Sequence, residues 1–133
     1  MSLSRRKGGF GCRTPGHIQA LMAILRRYRV SAKARGIEFA LGQTEFINLT
    51  GMPCFYCGIP PIIRSLQVHS RRVIGEPRAY AIVSYNGIDR LDNSKGYMES
   101  NCVSCCKVCN RAKDIMTVKE FYEWVERVHS FKV

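Results

Sequence analysis

Cys106-Lys107-Val108-Cys109-Asn110-Arg111-Ala112-Lys113 is the stretch that decides how this chain is read. It has the form C-x-x-C-N-x-x-K, and an upstream pair, Cys54 and Cys57, repeats the C-x-x-C spacing. Two such pairs supply four soft thiolates, the set a tetrahedral zinc site takes. The 48 residues between Cys57 and Cys106 exceed the gap of an ordinary zinc ribbon, so a substructure must be inserted between the two knuckles. Cys102 and Cys105 also form a C-x-x-C; Cys106 and Cys109 are preferred because Asn110 follows them. A plain zinc knuckle has no need of a polar amide there, so the position asks for a second purpose.

The rest of the composition agrees with a small folded, polyanion-seeking chain. With 133 residues, 46% of them hydrophobic, one domain with a modest core is expected. The net charge is +11, which makes a nucleic acid the first partner to consider. The charge is uneven: residues 1–37 hold nine Lys or Arg and no Asp or Glu. No 18-residue apolar run is present and the basic start lacks an apolar signal region, so neither a membrane partner nor secretion is expected. Seven cysteines, an odd number, point to metal thiolates in a reducing, intracellular (cytoplasmic) setting and not to disulfides. Cys12, Cys102 and Cys105 are then fillers or inert thiols.

Along the chain, residues 1–14 read as a flexible basic arm and residues 15–133 as a single domain whose core lies at about 54–115. A helix is expected from Pro15 to about Arg35, with Leu21, Leu25 and Tyr28 on one face and Gly36 as its stop. A short helix through Glu45, Phe46 and Leu49 should end at Gly51. Residues 60–84 are hard to read; Val73, Ile74 and Tyr80 to Val83 suggest strands. Asn86-Gly87 signals a turn, Ile88 to Leu91 a strand, and Asp92 to Gly96 a loop. A helix should span the second knuckle from Cys102 or Ser104 to Ile115. Thr117 and Glu120 form a capping box for a last helix, whose stripe of Phe121, Trp124, Val125 and Val128 is expected in the core.

The segment Tyr85 to Tyr97, followed by Asn101 and by Cys106-x-x-Cys109-Asn110-x-x-Lys113, resembles the HNH, or ββα-metal, nucleases. The resemblance covers about residues 54–113 and rests on an acid, a structural Asn, a Cys pair and a second Asn in fixed order. It implies an α+β fold: a zinc-stapled ββα-metal core with an N-terminal basic helix and a C-terminal helix. It also implies that Asp89 and Asn110 bind a catalytic metal. Both offer oxygen, which suits Mg²⁺ or Mn²⁺ better than a second zinc. Asn101 would fix the loop between them, and Lys113 would meet a phosphate. Hydrolysis of double-stranded DNA, leaving a 5′ phosphate and a 3′ hydroxyl, is the activity implied, in a phage, mobile-element or restriction setting; an inactive zinc-bound nucleic-acid-binding module is the rival.

The chain departs from the family pattern at Arg90, which replaces the usual water-activating His. Arginine is never a base near neutrality. Tyr56, inside the first knuckle, is the first substitute, because a minority of HNH restriction enzymes resemble this chain in carrying Asp-Arg and C-x-Y-C; Arg90 would then clamp phosphate. A free tyrosine, with a pKa of about 10, is ionised to roughly one part in a thousand at pH 7, so a nearby arginine would have to favour the phenolate. His69 is the second candidate base. Asp92 and Glu99 could add a carboxylate near the metal.

DNA contacts are expected from Arg26, Arg27, Arg29, Lys33 and Arg35 at the end of the first helix, and from Arg64, Arg71 and Arg72 in the insert. The arm at Arg5 to Lys7 could track a minor groove. Cutting both strands with one site per chain points to a homodimer.

Overall fold

The computed structural model describes residues 15–67 and 80–132. Helix α1, Pro15–Ala34, buries His17, Ala20, Leu21, Ile24, Leu25 and Ala32 and leaves Arg26, Arg27 and Arg29 outside. It stops in a Schellman motif: Gly36 takes a left-handed φ of 66°, its N–H bonds to Lys33 O at 3.1 Å, and the Ile37 N–H reaches Ala32 O at 2.8 Å. Only glycine adopts that backbone without a Cβ penalty. The following strand-like piece forms one parallel bridge, Phe39 to Tyr97. Helix α2, Gln43–Thr50, inserts the fully buried Phe46 into the core and ends at Gly51.

Two small antiparallel sheets follow, as an α+β chain should have them. Strands β1, Ile62–Gln67, and β2, Tyr80–Tyr85, pair from Ile62–Tyr85 to Gln67–Tyr80. On β2 the period of two is plain: Ala81 and Val83 are buried beside α1, whereas Tyr80 and Ile82 are exposed. Strands β3, Gly87–Arg90, and β4, Cys102–Cys105, form the second hairpin, in which Asp89 faces Val103 and Arg90 faces Cys102. Helix α3, Lys107–Lys113, follows at once, giving the ββα order. Helix α4, Val118–Lys132, closes the described chain.

Three expectations change here. Asn86-Gly87 forms no turn: Asn86 is buried at the single-residue link between β2 and β3, Gly87 opens β3, and the Asn86 Nδ2 donates to Met52 O and Ile59 O at 3.0 and 3.2 Å. Cys102 to Cys105 form strand and not helix, because they pair with β3; α3 begins only after Cys106 caps it. On α4 the capping box forms, with Thr117 N–H to Glu120 Oε2 at 2.9 Å and Glu120 N–H to Thr117 Oγ1 at 3.1 Å. Only Phe121 of the apolar stripe is buried; Trp124, Val125 and Val128 are exposed, since among the described residues α4 meets the body through its first turns. The basic arm and the expected strand at Val73 and Ile74 lie outside the described residues.

Candidate metal centre and adjoining cleft

The two knuckles converge. In the first, the Cys54 N–H bonds to Ile59 O and the Gly58 N–H to Cys54 O, both at 2.9 Å. It is fastened to β4 by Phe55 N–H to Ser104 O at 2.8 Å and by Ser104 Oγ to Met52 O at 2.9 Å. In the second, Cys106 caps α3 and its Sγ accepts the Cys109 N–H at 3.4 Å. The Sγ atoms of Cys54, Cys57, Cys106 and Cys109 all lie within 4.8 Å of one another. Cys57 and Cys106 are 3.7 Å apart, close to the edge of about 3.8 Å of a tetrahedron with metal–sulfur bonds of about 2.3 Å. Burial works against ionising Cys54, but the N–H groups of Cys106, Cys57 and Tyr56 outweigh it and bring its pKa down to about 6. A thiol pre-set as thiolate is what a metal ligand requires. Burial raises the thiols of Cys57 and Cys109 as it does those of Cys102 and Cys105; what keeps Cys102 and Cys105 out is position, since both are held in β4 and neither belongs to the converging four. The four sulfurs can therefore hold a metal ion, and the C-x-x-C register settles on Cys106 and Cys109.

The cleft beside this cluster is walled by α1, β3 and the end of α3. Tyr28, Ser31 and Arg35 come from α1 and the residue that ends it, Asp89 and Arg90 from β3, Tyr97 from the loop, and Asn110 and Asp114 from α3 and its exit. Asp89 is buried, and its Oδ2 is doubly held: Tyr56 Oη donates to it at 2.6 Å and Lys113 Nζ lies 3.1 Å away. Among the described residues the Asp89 Oδ1 and the Asn110 side chain have no hydrogen-bond partner, and both residues line the cleft. Tyr28, whose hydroxyl accepts the Ile88 N–H at 3.0 Å, forms the floor; burial raises its pKa to about 12. Gly87 permits that approach, because a Cβ there would stand 2.9 Å from the Tyr28 hydroxyl.

Asn101 knots the loop between β3 and β4. Its Oδ1 accepts the Asp92 N–H at 2.9 Å, and its Nδ2 donates to the carbonyls of Asp92 and Gly96, both at 3.0 Å. Arg90 projects over the ring of Tyr97 at 5.3 Å, and its Nη1 is tied to Asn93 O and Lys95 O at 3.0 and 2.8 Å.

Several expected roles meet a different geometry. Lys113 is fully buried against Asp89 and the Arg90 carbonyl, so it is an internal counterion and not a surface phosphate contact. Arg90 does not favour a Tyr56 phenolate: the ionic neighbour of Tyr56 is Asp89, and burial first, then that carboxylate, push the phenol pKa well above its ordinary value. Asp92 turns to Ser94, accepting its N–H and hydroxyl at 2.9 and 2.6 Å. Arg26, Arg27, Arg29, Lys33 and Arg35 are exposed, with Arg29 over Phe39 at 5.9 Å. Arg64 packs over Tyr85 at 5.2 Å. His69, Arg71 and Arg72 lie outside the described residues.

Two cleft residues carry no signal in the sequence. Tyr97 reads there only as a loop aromatic. Asp114 takes φ 45° and ψ −116° in a turn closed by Met116 N–H to Lys113 O at 2.8 Å, a place that ordinarily demands glycine; nothing local to its neighbours in the sequence announces it.

The site thus combines the β3–β4 hairpin, the helix α3 that follows it, and four cysteines that could hold a metal ion, all within an α+β fold. Among solved structures, the fold is similar to that of the rare-cutting HNH restriction endonuclease PacI, with a TM-score of 0.54 over 81% of this chain and 75% of that one. At 19% identity the likeness concerns the fold. In sequence, 95 residues (71% of this chain) are 33% identical to an uncharacterized protein of Acanthamoeba polyphaga mimivirus, of which they span 14%. No family model matches. No described helix is long and apolar enough to cross a membrane.

Proposed function

We propose that the protein is a metal-dependent HNH-type endonuclease that hydrolyses phosphodiester bonds in double-stranded DNA. The observation that carries this reading is the pair of unpartnered oxygen-bearing groups on one cleft: Asp89 Oδ1 and the Asn110 amide. A carboxylate plus an amide oxygen suits a small hard cation that keeps waters and takes its remaining ligands from phosphate. Asp89 and Asn110 would hold Mg²⁺ or Mn²⁺, which when bound withdraws charge from the scissile phosphate and the departing 3′ oxygen. The four cysteines would hold a structural zinc, and the basic end of α1 would draw in the DNA backbone.

The chain's own groups divide the remaining work. Lys113 balances the buried Asp89 charge, and Tyr56 fixes the carboxylate's rotation through Oδ2, so that among the described residues Oδ1 stays without a partner on a residue that lines the cleft. Arg90 offers a guanidinium to phosphate from a fixed seat. Tyr56 in this arrangement is a positioning residue, its proton committed to Asp89. Tyr56→Phe should therefore lower nicking by about tenfold, the worth of one charge-assisted hydrogen bond, and leave the pH–rate profile unchanged. Loss of all activity together with the alkaline limb of that profile would instead make Tyr56 the proton acceptor. His69→Ala in the same assay tests the other acceptor named by the sequence.

The test is supercoiled plasmid with Mg²⁺ or Mn²⁺, with and without EDTA. Nicking that EDTA stops and Asn110→Ala abolishes supports the proposal. The second reading is a DNA-binding module without catalysis, favoured by the Lys113 ammonium already neutralising Asp89. Tight DNA binding with no metal-stimulated nicking would select it. A homodimer would place two such sites on one duplex, which mass measurement in solution checks.

A further inference from the structure

We propose a second phosphate subsite in the cleft, at Arg35, built by Tyr97. The ligand is the phosphodiester next to the one that a cation at Asp89 and Asn110 would bind, so the proposal rests on the DNA reading above. Tyr97 serves two arginines at once. Its hydroxyl accepts a hydrogen bond from Arg35 Nη2 at 2.9 Å, and its ring lies under the Arg90 guanidinium at 5.3 Å. The two cations come from distant segments, the end of α1 and the end of β3, yet both line the cleft with Asp89 and Asn110.

Tyr97 is suited to be a fixed platform. It is buried, and its backbone is stitched on both sides: Tyr97 N–H to Glu38 O at 2.8 Å and Ala40 N–H to Tyr97 O at 2.7 Å. Its ring meets Tyr28 edge-on at 6.1 Å and Phe39 at 5.3 Å. Gathering two guanidiniums on one phenol costs like-charge repulsion. The carboxylates on the same cleft do not offset it, since Asp89 already pairs with Lys113 and Asp114 makes no ion pair among the described residues. An incoming polyanion would repay that cost. A guanidinium with one N–H spent on tyrosine keeps others for a phosphate oxygen. Two such groups held apart on one platform select a ligand with successive phosphates over a lone phosphodiester. Tyr97 would then be a positioning residue, and Arg35 a substrate-contacting one.

The experiment measures binding of a short DNA duplex in EDTA across a range of salt, so it does not depend on catalysis. Failure of the wild type to nick DNA would sink the nuclease reading and leave this measurement intact. Arg35→Ala is expected to weaken binding about tenfold and to flatten the log Kd against log salt slope by about 0.9, the value for one lost phosphate contact. Tyr97→Phe keeps the ring and removes the hydroxyl. It should weaken binding severalfold in the wild-type background and have no effect when Arg35 is already Ala. An unchanged salt slope in Arg35→Ala would overturn the subsite. Equal Tyr97→Phe penalties in both backgrounds, or no penalty in either, would overturn the role of Tyr97. In a nicking-competent sample, Arg35→Ala should raise KM for DNA more than KM for bis(p-nitrophenyl) phosphate; an equal loss on both substrates also counts against a second phosphate.

Discussion

At the residue scale the proposed chemistry turns on Asp89. A buried carboxylate needs a partner, and Lys113 supplies it from a position with no solvent access. Replacing the lysine by the near-isosteric methionine strands the charge. Lys113→Met should therefore lower unfolding free energy by about 3–5 kcal/mol, the usual cost of breaking a buried pair from one side. Urea denaturation checks this, and a loss under about 1 kcal/mol, the range of exposed pairs, would show that the pair is not buried in solution. Asp114 gives the opposite kind of prediction. Its φ of 45° in the turn after α3 is strained for any residue with a Cβ. Asp114→Gly should raise stability by about 1 kcal/mol. A destabilised Asp114→Gly protein would mean the carboxylate makes a contact worth more than the strain.

At the scale of elements, the four cysteines bring the first knuckle and the start of α3 to one point. The first knuckle reaches β4 through a handful of hydrogen bonds, and the second caps α3. If the four cysteines hold an ion, chelating it should loosen the knuckles and α3 in hydrogen exchange while α1, packed on Val83 and Phe46, stays protected; α1 exchanging as fast as α3 would show one cooperative unit instead. Much of this is legible in the chain. The paired C-x-x-C spacing, the α1 periodicity with its Gly36 stop and the Thr117–Glu120 capping box each express a local rule, and local rules survive folding. The failures share a cause as well. Cys102 to Cys105 read locally as helix because their strand identity comes from pairing with β3, which is absent from the local sequence. The α4 stripe has the period of a buried face, but periodicity cannot say how far a neighbouring element extends beneath it. Lys113 and Tyr56 come out of the sequence in the right order and with the wrong partners, because a sequence gives spacing and not the direction of a side chain.

At the scale of the whole molecule, α1 lends Tyr28, Ser31 and the following Arg35 to the cleft that holds Asp89 and Asn110, while Arg26, Arg27 and Lys33 are exposed on the same helix. Under the proposed function those exposed cations would attract the DNA backbone. A Gln substitution of Arg26 should weaken DNA binding and reduce the salt slope by about 0.9 without altering single-turnover cleavage of bound DNA; a fall in that single-turnover rate would place Arg26 in the chemistry. The central claim is narrower: the carboxylate at 89 and the amide at 110 share one hard cation. Mn²⁺ titration of zinc-loaded protein with a short duplex, followed by electron paramagnetic resonance, tests it directly. About one bound Mn²⁺ per chain is expected, lost in Asn110→Ala with the fold unchanged by circular dichroism. Undiminished Mn²⁺ binding by that variant would contradict it.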